Sequence, residues 1–247
     1  MRKLYIAWQD PLKRRWYPVG RLTFEDGVYR FNYTKGALQA DKTKRFIPFA
    51  RMQNLNVSYE SEELFPLFAN RLLSEKRPEY EDYAKWLKLE QDSLGNKQLA
   101  MLAITGGMRR TDSLEILPCP LPTNDCKYEV LFFVHGLSHV DKNNIKRVNN
   151  FKKGDKLYIM FDVQNKFDET AIILRTDDPV AVVGYCPRYL TKDFHKIIKK
   201  CGASIPNIMI EQVNLDAPLQ LRLLCKFSAP WPNSFQPCSD DSFEPLT

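Results

Sequence analysis

Residues 180–200, VAVVGYCPRYLTKDFHKIIKK, decide how the C-terminal half of this chain folds. The first six residues of the stretch are rich in β-branched and aromatic types, which is typical of a strand. The apolar residues that follow recur at helical spacing and share one face, namely Leu190, Phe194, Ile197 and Ile198. Gly202 then follows as a helix-ending residue. The sequence therefore predicts a strand that leads directly into a helix over residues 190–200.

Further strands are predicted on both sides of this stretch. Their segments carry β-branched and aromatic residues between turn-forming residues such as Gly154. The predicted strands are 128–135, 156–162, 170–175, 180–185, 207–214 and 218–227. Because these strands accompany a single helix, we expect a small β-rich domain over residues 128–228.

The N-terminal half also begins with strands, at residues 4–9 and 18–33. Asp26-Gly27 interrupts the second run, and glycine accepts the positive φ that a tight hairpin turn requires. After the turn, Tyr29 and its aromatic neighbours at every second position alternate with more polar residues. This alternation predicts a hairpin with one buried face.

Helical spacing appears after Ser61. Apolar residues recur at intervals of three, four and seven, at Leu64, Phe65, Leu67, Phe68, Leu72 and Leu73. Ser61 precedes two glutamates and is a suitable N-cap. We therefore predict a helix that starts at Ser61, and a second helix over residues 80–89.

Residues 106–126 separate the two halves. Gly106-Gly107 opens this stretch, and three alternating prolines, Pro118, Pro120 and Pro122, close it, a pattern that suits neither a helix nor a central strand. We predict an α+β protein with two small β-rich domains at 1–105 and 128–228. A connector over 106–127 joins them, and a loosely ordered tail rich in Pro, Ser and Asp covers 229–247.

The composition permits an anionic partner without requiring one. The chain has 247 residues and a formal net charge of +6, so it is mildly basic. None of its six cysteines forms a Cys-x-x-Cys pair, and the three histidines are not spaced to complete a zinc site. No signal peptide or membrane-spanning run is present in the sequence. We expect a cytoplasmic protein with reduced cysteines, no membrane association, no metal and no cofactor.

Three stretches of the C-terminal half resemble the HIRAN domain, a small β-barrel with an attached helix that occurs in DNA-repair helicases and in bacterial proteins. They are 134–139 (VHGLSH), 165–172 (NKFDETAI) and 183–190 (VGYCPRYL). Each motif is short, but the order "aliphatic-x-Gly", "Asn-x-aromatic-Asp-x-x-Ala-Ile" and "Gly-Tyr-x-Pro-x-x-Leu" is specific. The resemblance covers about 100 residues and implies a site for single-stranded DNA, with a preference for a free 3′ end.

The resemblance implies a set of DNA-binding residues, namely Ser138, His139, Asn165, Phe167, Asp168, Tyr185, Arg188 and Lys192. Phe167 and His139 can stack on bases, which contributes about 1–3 kcal/mol per base. Asp168 can accept the bond of a terminal 3′-hydroxyl. Arg188, Lys192 and the basic pairs 146–147 and 152–153 can bind phosphates, and Tyr185 can add a hydroxyl donor.

A second interpretation of the same loop stays open. Asn165 and Asp168 can bond their own backbone and simply form the turn between two strands, while Phe167 packs in the core. The sequence also departs from the DNA-binding members at Ser138-His139, where those members have a basic residue and a tyrosine. The lost cation is expected to lower DNA affinity, and the imidazole is expected to stack less well than a tyrosine ring.

The N-terminal half resembles the first β-rich subdomain of HipA-type toxin kinases. The resemblance is carried by residues 18–22 (PVGRL), 29–33 (YRFNY), 46–49 (FIPF) and 68–73 (FANRLL). Residues 105–112 (TGGMRRTD) resemble a linker of HipA-like and HIRAN fusion proteins, where they can contact phosphate or form a plain exposed turn. The motifs that a kinase needs, such as a phosphate-binding loop or an Asp-Phe-Gly triplet, are missing.

No arrangement of residues in the sequence indicates catalysis. His135 and His139 are four apart but lie in predicted strand and loop, and the Asp pairs at 177–178 and 240–241 lie beside prolines. We expect a non-catalytic protein that binds single-stranded DNA or DNA ends, as an accessory to a bacterial phage-defence or DNA-processing system. It can deliver a kinase, nuclease or helicase partner. The alternative is a protein-interaction or toxin–antitoxin component that acts through the N-terminal half.

Overall fold

The computed structural model describes residues 2–89, 96–109, 111–166, 168–202 and 206–247. The chain forms two compact units. The first comprises Met1–Tyr80, Leu89–Cys119 and Cys238–Thr247, and the second comprises Glu81–Lys88 and Pro120–Pro237. Each unit contains a β-sheet with few helices, so the predicted α+β class is confirmed.

The strands and helices of the described residues are named in chain order. The strands are β1 Arg2–Gln9, β2 Trp16–Glu25, β3 Val28–Tyr33, β4 Tyr59–Ser61, β5 Leu114–Pro118, β6 Lys127–Phe133, β7 Lys156–Phe161, β8 Ile172–Arg175, β9 Val182–Tyr185, β10 Asn207–Val213 and β11 Leu223–Pro230. The helices are α1 Lys35–Asp41, α2 Pro66–Ala69, α3 Tyr80–Trp86, α4 Lys97–Thr105, α5 Lys142–Val148 and α6 Arg188–Cys201.

The described part of the first unit contains a five-stranded antiparallel sheet in the order β4-β3-β2-β1-β5. The β2–β3 hairpin turns at Asp26 and Gly27, which have φ values of 51° and 81°. Two successive positive φ angles match the right-handed twist of a hairpin, and glycine adopts one of them without steric cost. The hairpin that the sequence predicted is therefore confirmed.

An aromatic cluster fills the core of the first unit. Phe31 and Tyr33 of β3 are fully buried, and the rings of Tyr33 and Phe49 stack with centroids 5.7 Å apart. The Tyr33 hydroxyl donates to the carbonyl oxygen of Met52 and accepts from the backbone N–H of Phe49, each at 2.7 Å. These two bonds satisfy the buried hydroxyl and tie the loop after α1 to the sheet.

The helix predicted to start at Ser61 is wrong. Ser61 ends β4, which pairs with β3, and the helical turn α2 begins only at Pro66. The reason is Pro66 itself, because the residue before a proline is driven away from helical geometry, and Phe65 has an extended ψ of 139°. The apolar residues Leu64 and Phe68 are buried all the same. The predicted second helix is present as α3.

Two segments predicted to be irregular are ordered. Strand β5 lies inside the predicted connector and pairs with β1 as the edge of the sheet, where a proline such as Pro118 is tolerated. In the predicted loose tail, residues 238–247 belong to the first unit. There the backbone of Pro245 bridges to Thr34, and the Asn32 side chain donates to the Thr247 carbonyl oxygen at 3.1 Å.

The described part of the second unit contains a six-stranded sheet in the order β6-β11-β10-β7-β8-β9. The sheet curls until its two edges meet, because His135, just after β6, exchanges backbone hydrogen bonds of 2.9 Å with Tyr185 of β9. A Cβ atom on Gly184 would lie 2.5 Å from the Val134 side chain, so the closure requires glycine there. The predicted barrel with an attached helix is confirmed.

Helix α6 covers the predicted range 190–200 and supplies much of the core of the second unit. Its buried residues include Leu190, Phe194 and Ile197, and the Phe194 ring stacks on Phe227 of β11 with centroids 3.8 Å apart. Helix α3 also joins this unit, apart from its first residue. Asn214, just after β10, donates to the Trp86 carbonyl oxygen at 3.1 Å, which explains why this helix does not remain with the N-terminal half.

Candidate functional site

The loop between β7 and β8 is held together by side chains that bond the backbone. The Asn165 side-chain oxygen accepts from the Asp168 backbone N–H at 3.0 Å, and the Asp168 carboxylate accepts from the Thr170 N–H at 3.0 Å. Short polar side chains form such turns because they reach their own backbone. Both residues therefore bond the backbone of their own loop, as the turn-forming interpretation expected.

Arg188, the first residue of α6, pairs with Asp168. Its Nε donates to Asp168 Oδ2 at 2.8 Å, while Asp168 Oδ1 accepts from the Thr170 hydroxyl at 2.8 Å. Burial raises the pKa of the Asp168 carboxyl, but the bonds from Thr170 and Arg188 outweigh burial and hold this pKa below its ordinary value. The carboxylate is therefore ionised at neutral pH, with acceptor capacity beyond these described bonds.

Asp162 joins Tyr185 to this loop. Asp162 Oδ2 accepts from the Tyr185 hydroxyl at 3.2 Å and from the Asn165 side-chain amide at 3.0 Å. Burial, and then the bond to Asp162, raises the pKa of Tyr185. Sequence reasoning missed Asp162. The only signal was a single acidic residue at the end of an apolar strand.

A second chain of contacts runs from the loop to α6. The Thr170 hydroxyl lies 2.8 Å from the Thr191 hydroxyl, and the Thr170 carbonyl oxygen lies 3.1 Å from His195 Nε2. The His195 ring stacks on Phe161 with centroids 4.5 Å apart and an interplanar angle of 24°. Thr191 and His195 were also missed, although Thr191 lies three residues after Arg188 and His195 lies four residues after Thr191, a spacing that places side chains on one helix face.

The structure brings half of the predicted site residues into one network. Asn165, Asp168, Tyr185 and Arg188 are linked by hydrogen bonds, with Asp162 as the connecting residue and Thr170 bonded to Asp168. We call this set the polar network. Lys192 is exposed one turn along α6 from Arg188. Phe167 lies outside the described residues.

Ser138 and His139 occupy an exposed 3₁₀ turn, Leu137–His139, that follows the barrel closure. A Cβ atom built on Gly136, which precedes this turn, would lie 3.3 Å from the Tyr185 ring. The turn therefore begins beside the polar network, while none of the hydrogen bonds found among the described residues joins Ser138 or His139 to it.

The second unit carries exposed basic side chains on several elements. Lys192 and Lys199 are exposed on α6, and Lys146 and Arg147 are exposed in the last turn of α5. The exposed Lys153 lies 3.9 Å from Glu211, whose pKa is lowered, against the effect of burial, by the nearby lysines. The unit thus offers exposed cations to an anionic ligand in addition to the partly exposed Asp168–Arg188 pair.

The histidines, the cysteines and the helices bear on the predictions about metals and membranes. His135 is half-buried, and burial lowers its pKa from 6.5 to about 4, whereas His139 is exposed in its turn. Across the ranges that the structure describes, no cluster of His, Cys, Asp or Glu could hold a metal ion. In those ranges no helix has the length and apolar character needed to cross a bilayer. Each of the six cysteines is a free thiol.

Comparison with known proteins adds one family and one structure. No curated protein matches the chain. A crystal structure of a protein from Lactobacillus plantarum is similar at 16% identity, covering 42% of this chain and 96% of that chain with a TM-score of 0.33.

The family match is specific to the second unit. It does not extend to the described part of the N-terminal unit, for which the HipA-like resemblance stays a prediction. HIRAN domains are known to bind single-stranded DNA and 3′ ends. Residues 127–231, which contain the curled sheet, α6 and the polar network, match the HIRAN domain.

Proposed function

We propose that this protein binds the exposed end of a single DNA strand at the polar network. The observation that carries the proposal is the Asp168–Arg188 pair within the region that matches the HIRAN domain. In this proposal the Asp168 carboxylate accepts a hydrogen bond from the terminal 3′-hydroxyl. An ionised acceptor makes a stronger hydrogen bond than a neutral one, so the lowered pKa of Asp168 supports this role.

The remaining site residues bind the strand behind its end. Arg188 and Lys192 bind phosphates, because both side chains are cationic and Lys192 is exposed on α6 one turn from Arg188. Phe167 and His139 stack on bases, and Ser138 contributes a hydroxyl from the turn beside Tyr185. Asn165 fixes the loop that carries Asp168.

Fluorescence anisotropy at fixed salt tests the proposal directly. The probes are single-stranded oligonucleotides with a free or a phosphate-blocked 3′ end, and a blunt duplex. We expect tight binding to the free end and weaker binding to the blocked end. Binding that ignores the end and weakens steeply with salt would leave only a generic basic surface. Absence of binding to every probe would overturn the proposal and favour a protein partner.

The role of Asp168 is tested with a matched pair of variants. In Asp168→Asn we expect the ratio of the affinities for the free and the blocked 3′ end to fall toward one, because an amide is a weaker acceptor than a carboxylate. Asp10→Asn is the control, since Asp10 also caps a turn and pairs with an arginine, but in the first unit. A folded Phe167→Ala/Asp168→Ala double variant that binds DNA like wild type would remove the site assignment.

We further propose that the protein is a non-catalytic accessory factor in the cytoplasm of a bacterium, where it delivers a partner enzyme to DNA ends in defence or DNA processing. The support is that the sequence lacks nucleotide-binding and nuclease motifs. Incubation with labelled single-stranded DNA, Mg²⁺ and ATP should leave both DNA and ATP intact. Shortened strands or released phosphate, lost in a folded site variant, would contradict this proposal.

A further inference from the structure

An aromatic pair with one exposed and one half-buried member lies beside the polar network and takes no part in the function proposed above. Phe161 ends β7 and is 41% exposed, although it is one of the largest apolar side chains. Its ring stacks on His195 of α6 with centroids 4.5 Å apart. His195 covers one side of the ring, so the exposed surface of Phe161 lies away from it. We call Phe161 and His195 the aromatic pair.

The pair is fixed in position by the same loop that holds Asp168. A carbonyl oxygen can only accept, so His195 Nε2 donates to the Thr170 carbonyl oxygen at 3.1 Å. Thr170 in turn donates through its hydroxyl to Asp168 Oδ1 at 2.8 Å. A single residue therefore joins the aromatic pair to the carboxylate. A flat surface held this way costs little conformational entropy when a ligand binds.

The charges around the pair suit a nucleic-acid strand. Lys192 and Lys199 lie three residues before and four residues after His195 on α6, which places all three side chains on one helix face. Both lysines are exposed. A stacking surface flanked by cations is the arrangement that single-stranded nucleic acids require, because each base presents an aromatic face and each linkage a negative charge.

We propose that the aromatic pair is a stacking site for one unpaired base of the bound strand, a nucleotide inward from the end held at Asp168. This inference rests on the proposed function, and it adds a contact that depends on the base rather than on the terminal hydroxyl. The pair accepts any of the four bases, because stacking does not read hydrogen-bonding groups. Together with the network it sets the minimum length of strand that binds tightly.

Abasic scanning tests this site. Oligonucleotides with a free 3′ end carry one abasic nucleotide, moved inward from the end, and anisotropy measures their affinity for wild type and for Phe161→Leu. In wild type we expect an about tenfold loss at one inward position. Phe161→Leu should lose about the same on the intact strand and should lose nothing more when that position is abasic. Val163→Ala is the matched control, since Val163 is 85% exposed nearby but not aromatic.

The outcomes separate this inference from the proposed function. If wild type prefers a free 3′ end but Phe161→Leu binds the intact strand equally well, the stacking site is wrong and the end-binding function stands. An abasic penalty of equal size in wild type and in Phe161→Leu also overturns it. Phe161→Trp, which keeps an aromatic surface, should bind at least as tightly as wild type, and a tenfold loss in that variant counts against stacking. If wild type binds no strand, both proposals fail.

Discussion

Two loops of this protein, one in each unit, are built in the same way around an aspartate. Asp10 accepts hydrogen bonds from the backbone N–H two residues along the chain at 2.9 Å and from Arg45 Nε at 3.0 Å. Asp168 accepts from the backbone N–H two residues along at 3.0 Å and from Arg188 Nε at 2.8 Å. The local chemistry of the two loops is therefore nearly identical.

The surroundings of the two loops differ. The Asp10 side chain has no exposed surface, whereas Asp168 keeps 15% of its side chain exposed. Beside Asp168 lie the exposed Phe161 and the exposed Lys192, within the region that matches the HIRAN domain. An aspartate–arginine pair is thus an ordinary way to reinforce a turn. It indicates a binding site only where exposure, cations and a stacking surface accompany it.

The largest expected difference between the loops is in DNA affinity. Arg188→Ala should weaken binding to single-stranded DNA roughly thirtyfold, because it removes charged hydrogen bonds worth about 1.5–3 kcal/mol. Arg45→Ala, which breaks the corresponding pair in the first unit, should leave affinity unchanged. Anisotropy at fixed salt measures both, and circular dichroism checks folding. Equal losses in the two variants would show that the second loop is no more a DNA site than the first.

A fall in pH should lower the stability of the second unit more than that of the first. The pKa of His135 is about 4 in the folded state against 6.5 in the unfolded state, so the unfolded state binds protons first as pH falls. Stability is then retained above 6.5 and lost progressively down to about 4. The loss between pH 7 and pH 5 should be about 2 kcal/mol. Denaturant unfolding, followed by hydrogen exchange in each unit, measures this loss.

His135→Gln provides the control for the acid experiment, because glutamine does not titrate. The pH dependence in this window should disappear from the second unit. The first unit should show no change between pH 7 and pH 5 in either protein. A pH dependence that persists in His135→Gln would assign the effect to other groups.

A smaller effect is expected from the lysines of α6. Lys192→Gln/Lys199→Gln should weaken binding about tenfold, and it should make the dependence of log affinity on log salt shallower by about 1.4, since each lost phosphate contact contributes about 0.7. Lys42→Gln/Lys44→Gln removes the same charge from exposed positions of the first unit. If both pairs change the slope equally, net charge rather than the α6 surface drives binding.

The smallest expected effect concerns Asp10. The bond from Arg45 holds the pKa of Asp10 at about 2, against an ordinary value of 3.8. Its contribution to stability is therefore present above pH 4 and is lost as pH falls toward 2. Asp10→Asn should lower the Tm by a few degrees at neutral pH. The Tm of the first unit should then fall less steeply between pH 4 and pH 2 than it does in wild type. A thermal scan series from pH 7 to pH 2 measures both.

Local patterns in the sequence predicted the elements that depend on local contacts. The β2–β3 hairpin follows from Asp26-Gly27, and α6 follows from the spacing of its apolar residues. The predicted helix start at Ser61 is wrong because it rested on the spacing of the apolar residues after Ser61. Pro66 prevents helical geometry in the residue before it.

The parts that could not be predicted depend on contacts between distant residues. Strand β5 exists because β1 offers it a partner more than a hundred residues away in the chain. In the site, Asp162 and His195 gain their roles from Tyr185 and Thr170, which lie on other elements. The residues around Asp168 were predicted from the motifs that carry the family resemblance, whereas Asp162, Thr191 and His195 were missed because they lie outside those motifs.

The segment Cys238–Thr247 has a consequence for how the protein is made. It supplies partners to Asn32, Thr34 and Lys35 of the first unit, through a side-chain bond, a β-bridge and an ion pair. A ribosome translates this segment only after all of Pro120–Pro237. The three N-terminal residues can therefore make these contacts only after that part of the second unit has been synthesised. The unit that is started first is therefore the unit that is finished last.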